Sequence, residues 1–250
     1  MNVEPAGCWL DAEWPAPPWV RAGITSRRGG VSRAPFDSFN LALHVGDADE
    51  AVRHNRRELA SRLELGLEPT WLKQCHGSRV VDAGPTMLNT EADAAYTRHP
   101  GQACVVLTAD CIPLLLVDRA GTEVAAVHIG WRGLAANIAR NAVKCFRHPP
   151  EELLAWMGPH ISAANYSVRD DVRDACLRAA PDAEGGFVPA GSSSWRADLG
   201  LVLRAQLEYC GVRGVHADGR CTFREQELFY SYRRDGRTGR MACLIWMQER

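Results

Sequence analysis

No C-x-x-C, H-E-x-x-H or H-x-H spacing occurs in these 250 residues, and no apolar run approaches the length of a membrane span. The missing spacings exclude the local signatures of zinc fingers, thioredoxin-like redox motifs and helical zinc proteases. Net charge is nearly absent too, at −1, so the whole chain offers no case for nucleic acid or an acidic membrane surface as partner. The first residues lack a basic n-region and an apolar h-region, and no signal peptide is expected. Internal repeats and low-complexity tracts are missing. The Gly- and Ser-rich segment 183–196 is too short for a domain linker and is read as a mobile loop.

Cysteine, by contrast, is plentiful. There are nine, an odd number, and several fall inside apolar helix or strand patterns, where a free thiol behaves as a small hydrophobe. That fits a reducing compartment better than a disulfide framework, and the expected location is cytoplasmic. At 46% hydrophobic residues the chain can bury a sizeable core. Residues 1–19, rich in Pro and Trp, are read as an irregular lead-in to a body spanning 20–250.

The stretch Ala103–Gly133, ACVVLTADCIPLLLVDRAGTEVAAVHIGWRG, organises that body. Two apolar runs flank a hydrophilic turn and read as a hairpin of strands buried on both faces. Further strands are expected at 20–26, 71–75, 79–83, 92–97, 153–158, 166–168, 212–217 and 241–247. Helices are expected at roughly 50–65, capped by Asp47 or Asp49, at 134–146, at 169–180, and after Asp198. Segment 231–236 is read as a solvated basic turn. Strands and helices intermix, so the class is α/β or α+β. Tight turns such as Arg119–Gly121 argue against a purely parallel sheet.

Polar, reactive residues interrupt these apolar runs. His76, Cys111 and His128 each sit at or near a predicted strand end, and each is a zinc-type donor. Two imidazoles and a thiolate leave a fourth position free, the pattern of a catalytic rather than a structural zinc site. Their positions lie 35 and 17 residues apart, without a local signature. The plainer alternative makes Cys111 core filler and both histidines hydrogen-bonded strand ends. A third option pairs Cys111 as nucleophile with His128 as base, Asp110 orienting the imidazole. Asp110 also serves as the candidate proton carrier beside a metal. On a regular strand Asp110 and Cys111 would face opposite ways, but Pro113 argues for irregularity. Cys75 would face away from His76 and is left out of the donor set. Arg27 lies in a basic glycine turn able to hold an anion. Asn40 and His44 are polar among apolar neighbours, and Arg56 interrupts an apolar helix face with Val52, Leu59 and Leu63.

Five blocks, TSRRGGVS with SFNLALHVGD and NRREL, LKQCHGSRVV, LTADCIPLLLVD, VAAVHIGWRGL and RCTFREQELFYSYRRDGRTGR, together resemble the laccase-domain family, once labelled multicopper polyphenol oxidoreductases. Family members are also described as purine nucleoside phosphorylases with adenosine deaminase and methylthioadenosine phosphorylase activity, and bacterial ones as a peptidoglycan editing factor. The resemblance implies a single-domain α+β fold, a mixed α/β sandwich of complex topology. It implies that His76, Cys111 and His128 bind one zinc, with copper as the alternative ion. The expected function is zinc-dependent phosphorolysis of adenosine, inosine, guanosine and methylthioadenosine, with adenosine deamination. Arg27, Arg56, Arg132 and Arg233 are the candidate phosphate holders, and Asn40 and His44 candidate substrate contacts. The expected partners are a purine nucleoside and phosphate, or alternatively a peptidoglycan precursor processed by a Cys–His hydrolase that removes misincorporated L-Ser. Neither nucleic acid nor a membrane is expected as a partner. Only eight histidines, none in H-x-H pairs, stand against the historical polyphenol oxidase label. A non-enzymatic zinc-binding module is the remaining reading.

Overall fold

The long apolar run that starts at Cys104 makes two strands, and they belong to different sheets. The computed structural model describes residues 7–84 and 90–249. Its strands are β1 (Trp9–Asp11), β2 (Val20–Thr25), β3 (Val80–Asp82), β4 (Ala94–Thr97), β5 (Cys104–Thr108), β6 (Ile112–Asp118), β7 (Val124–Ile129), β8 (Leu153–Met157), β9 (Ser167–Arg169), β10 (Phe187–Gly191), β11 (Ser194–Ala197), β12 (Gly214–Ala217) and β13 (Met241–Met247). The α-helices are α1 (Asp49–Arg62), α2 (Trp131–Ala135), α3 (Ile138–Val143), α4 (Asp170–Ala179), α5 (Leu199–Tyr209) and α6 (Tyr232–Asp235). An antiparallel sheet runs β1-β2-β13-β5, a mixed one runs β12-β8-β6-β7-β4-β3, and a small antiparallel one runs β10-β11-β9. The fold is a single-domain α+β sandwich. Among the described residues no helix is long and apolar enough to cross a membrane.

Strand periodicity explains the layers. Along β6, Ile112, Leu114 and Leu116 pack with Leu134, Ile138 and Leu203 of the helices on one side. Leu115 and Val117 face the other way, onto Val106 of β5 and Cys243 and Ile245 of β13. Val105 and Leu107 of β5 then point outward beneath Phe39, Leu41, Leu59 and Trp71. Both large sheets are thus covered on both faces, which is why their strands read as continuous apolar runs. Each fully buried Leu or Val contributes roughly 1.5–3 kcal/mol relative to exposure.

Several expectations are corrected. The lead-in is not irregular throughout, because Trp9–Asp11 adds an edge strand to β2. Segment 71–75 forms no regular strand, only single bridges at Thr70 and Lys73. Beside them the Gln74 side chain takes a ladder position: its Nε2 donates to Leu107 O (2.9 Å) and its Oε1 accepts from Leu107 N (2.7 Å). The helix expected over 134–146 is split by Asn137, whose φ of 56° is left-handed. The 183–196 loop contains the β10–β11 hairpin, pinned by the buried pair Phe187 and Ala197. Ala48 caps α1 without a side-chain bond, while Asp47 accepts from Asn40 Nδ2 at 3.0 Å. Segment 231–236 is the short helix α6, capped by Ser231 accepting from Arg234 N.

Candidate functional site

The β6–β7 register sets Pro113 opposite His128 and Ile112 opposite Ile129. Odd positions of β6 and even positions of β7 face the four-stranded sheet, so Cys111, just before β6, and His128 fall on the same inter-sheet side. The chain reverses from β5 to β6 at Asp110, whose φ of 92° is left-handed. That break lets Asp110 and Cys111 line the same cleft instead of opposite faces. His76 arrives from the 74–77 turn, also in a left-handed conformation at φ 61°.

These three side chains converge. Their ligand atoms all lie within 4.8 Å of one another, with Cys111 Sγ 3.9 Å from His76 Nε2. The imidazoles meet edge to face at 4.7 Å between centroids. Burial pushes the Cys111 thiol up, but the facing His128 and His76 outweigh it and hold it below its ordinary value. Burial lowers His128 as well, yet Cys111 and Asp93 keep it above its ordinary value. A thiol poised to ionise and two ring nitrogens at this spacing suit a small divalent ion with nitrogen and sulfur ligands. Among the described residues this is the single metal-competent group of three or more such side chains.

Asp93, which the strand pattern 92–97 concealed, accepts from His128 Nδ1 at 2.8 Å. Its carboxyl lies well below the usual carboxylate range: burial raises it, and bonds from His128 and Gly77 N outweigh that. Cys75 Sγ also lies 3.2 Å from Asp93 Oδ2, and this contact raises the thiol. Cys75 therefore stays outside the donor set.

A cleft of about 650 Å³ opens over the trio. Of the residues expected in it, Asp110, His44, Arg132 and Arg233 line it, whereas Arg27, Asn40 and Arg56 do not. Arg27 pairs with Asp37 (3.4 Å) and lies over the Tyr230 ring. Arg56 stacks on Trp71 at 3.7 Å and donates to Leu41 O, with burial pushing it down to about 10. Asn40 is fully buried and accepts from Arg240 N at 3.0 Å, so it acts one residue behind the cleft. Arg240, Trp131, Tyr166 and Tyr232 are cleft residues the sequence did not single out. Each cleft arginine rests on an aromatic ring: Arg132 on Trp131, Arg233 on Tyr166, Arg240 on Tyr232. Among the described residues none of the three has a carboxylate side-chain partner. Arg233 donates to Ser167 O, and Arg240 to Thr238 O and Gly239 O. Asp110 holds α6 against the cleft: Oδ2 accepts from Arg233 N (2.6 Å) and Oδ1 from Thr222 Oγ1 (2.7 Å).

Gly130 leaves room for the donors. A Cβ there would lie 3.1 Å from both Cys111 Sγ and His76 Cδ2. Gly130→Ala is expected to keep the fold and lower metal content well below one ion per chain. Elemental analysis beside circular dichroism checks this; a full ion per chain in the variant would show that the donors do not need the space.

Sandwich and donor trio together define an α+β protein with a candidate metal-binding group at the meeting of two sheets. The chain belongs to the family described as multi-copper polyphenol oxidoreductase laccase, whose model matches residues 21–248. A Pseudomonas aeruginosa protein named purine nucleoside phosphorylase is 49% identical over 242 residues, 96% of this chain and 99% of that one. The crystal structure of Neisseria meningitidis protein NMB0706 is 45% identical with a TM-score of 0.93, covering 96% of this chain and 99% of that one. The crystal structure of YlmD from Geobacillus stearothermophilus is 32% identical with a TM-score of 0.94, covering 100% of this chain and 98% of that one.

Proposed function

We propose that this chain is a zinc-dependent purine nucleoside phosphorylase acting on adenosine, inosine, guanosine and methylthioadenosine, with adenosine deaminase activity. The observation that carries the reading is one cleft joining the donor trio to three guanidinium groups without carboxylate partners. The name of the Pseudomonas aeruginosa relative agrees with it. His76, Cys111 and His128 would hold zinc, which in an open-coordinate site supplies Lewis acidity and lowers the pKa of a bound water. Arg132, Arg233 and Arg240 would hold phosphate through charge-assisted bonds. A phosphate oxygen then attacks the ribose C1′, the bond to the purine nitrogen breaks, and the purine leaves with the electron pair and takes up a proton. The rings of Trp131, Tyr166 and Tyr232 offer faces for the base. Asp110 is our proton carrier: its carboxyl accepts the two bonds above and retains lone pairs that can take a proton from the attacking phosphate and pass it to the leaving purine. His44 is lowered by burial and by Arg240, which favours a neutral ring able to donate or accept a hydrogen bond at substrate. All nine cysteines are free, which supports a cytoplasmic location.

A second reading, a Cys–His hydrolase on a peptidoglycan precursor, is favoured by the Cys111–His128 pair, with Asp93 rather than Asp110 orienting the imidazole. One assay separates the two. Zinc-loaded protein with inosine and phosphate is expected to give hypoxanthine and ribose 1-phosphate, and no base without phosphate. Absence of base from the loaded protein sinks the phosphorylase. Precursor cleavage by the zinc-stripped protein, with a covalent adduct at Cys111, would replace it by the hydrolase.

A further inference from the structure

We infer that Asp93 is a positioning residue whose single carboxylate sets up two of the three metal donors at once. The inference rests on the metal reading above and goes beyond it, because Asp93 belongs to neither the donor trio nor the cleft lining. Asp93 is fully buried between Ala92 and Ala94, both also fully buried. A charge placed there is costly unless it is paired and hydrogen-bonded. Among the described residues no lysine or arginine pairs with it. Its charge is met by hydrogen bonds, and the one from His128 doubles as an ion pair when the imidazole is protonated. Oδ1 accepts from His128 Nδ1 (2.8 Å) and His76 N (2.9 Å). Oδ2 accepts from Gly77 N (2.7 Å) and Cys75 N (3.2 Å), with Cys75 Sγ also at 3.2 Å.

The two ends of this cluster do different work. At His128, a carboxylate on Nδ1 selects the ring form that carries hydrogen there and leaves Nε2 as the donor nitrogen. At His76, three consecutive backbone N–H groups are gathered onto one side chain. They hold a turn whose central residue is left-handed, a conformation that L side chains other than glycine adopt only at a cost. His128 comes from β7 and His76 from a segment without regular strand pairing, so nothing in a shared sheet ladder aligns them. Asp93 supplies that alignment. Its own backbone is tied to the same strand, its O accepting from His128 N at 2.7 Å.

The test uses Asp93→Asn, which keeps an acceptor for the turn but puts an amide where His128 met a carboxylate. Zinc affinity, measured by competition with a chromophoric chelator, is expected to fall roughly 10–100-fold, the usual effect of removing a ligand's supporting partner. In metal-free protein, the hydrogen-bonded Nδ1 proton of His128 is expected as a downfield, nitrogen-coupled NMR resonance in wild type that is lost or moved upfield in the variant. A merely structural role would leave that resonance in place. Unchanged affinity with an unchanged resonance overturns the inference. If Asp93→Asn fails to fold, the wild-type resonance decides, and its absence overturns the inference. Wild type that takes up no zinc sinks the metal reading instead, and the metal-free resonance still judges Asp93 separately.

Discussion

Cys111→Ser is expected to lose its metal and, with it, at least about a hundredfold of any activity the cleft supports, a larger loss than the 10–100-fold typical of a supporting partner. The thiol lies opposite two imidazoles that hold it below its ordinary value, so a thiolate forms readily where the metal needs one. A serine hydroxyl at the same position keeps its proton and is a shorter, harder ligand. Two imidazoles then remain to hold the ion. Cys111 is half-buried at the cleft and belongs to none of the three apolar clusters. The metal-free variant should therefore unfold at the midpoint of metal-free wild type. Elemental analysis, the phosphorolysis assay and a thermal melt check the three statements together. A variant that keeps one ion per chain and full activity would remove Cys111 from the metal centre.

Asp118→Ala is expected to destabilise the metal-free protein by roughly 2–4 kcal/mol, because several turn donors lose their one acceptor. Asp118 is fully buried. Its carboxylate accepts from Ala120 N (3.1 Å), Thr122 N (2.7 Å), Thr122 Oγ1 (3.1 Å) and Glu123 N (2.6 Å), with His148 Nδ1 at 3.6 Å. The whole β6–β7 turn is wound around this one side chain. Alanine leaves those donors without their acceptor, and each buried one costs about 1–3 kcal/mol if nothing replaces it. Asp118→Asn keeps an oxygen and should lose less. Urea unfolding of the three metal-free proteins checks the order. Alanine within 1 kcal/mol of wild type would mean that solvent satisfies the turn.

That turn also marks a limit of reading the sequence. Asp118-Arg-Ala-Gly-Thr-Glu123 looks hydrophilic and solvated, yet both acids face inward: Asp118 accepts the turn's own N–H groups, and Glu123 accepts from Tyr96 Oη, Arg98 Nε and Arg147 N. Most strands were legible, since burial on both faces leaves long apolar runs with clear ends. The division of 104–118 between two sheets was not, because apolar residues suit both and the reversal needs only Asp110 in a left-handed conformation. His76, Cys111 and His128 were legible as donor types at strand ends, but their convergence depends on contacts across distant segments. Arg240 carries no local pattern, because its backbone is held by Asn40 and its guanidinium by the carbonyls of Thr238 and Gly239. Asp93 does carry a signal in the sequence: a lone carboxylate among small apolar residues in a predicted strand. Gln74 stands where a strand was expected because a side-chain amide can imitate a peptide group, a substitution no periodicity records.

The pairing of Pro113 with His128 has a further consequence for how the chain matures. Slipping β7 by one residue along β6 would turn His128 to the helix side and bring Val127 to face Cys111's side, since strand side chains alternate. Apolar residues occupy both faces of β7, so hydrophobic burial alone discriminates weakly against such a slip. Metal capture by His76, Cys111 and His128 would discriminate strongly, because only one alignment brings sulfur and nitrogen together. An ion that binds the native alignment and not its neighbours stabilises that alignment by mass action. A bound ion would thus favour the correctly threaded hairpin before any substrate arrives.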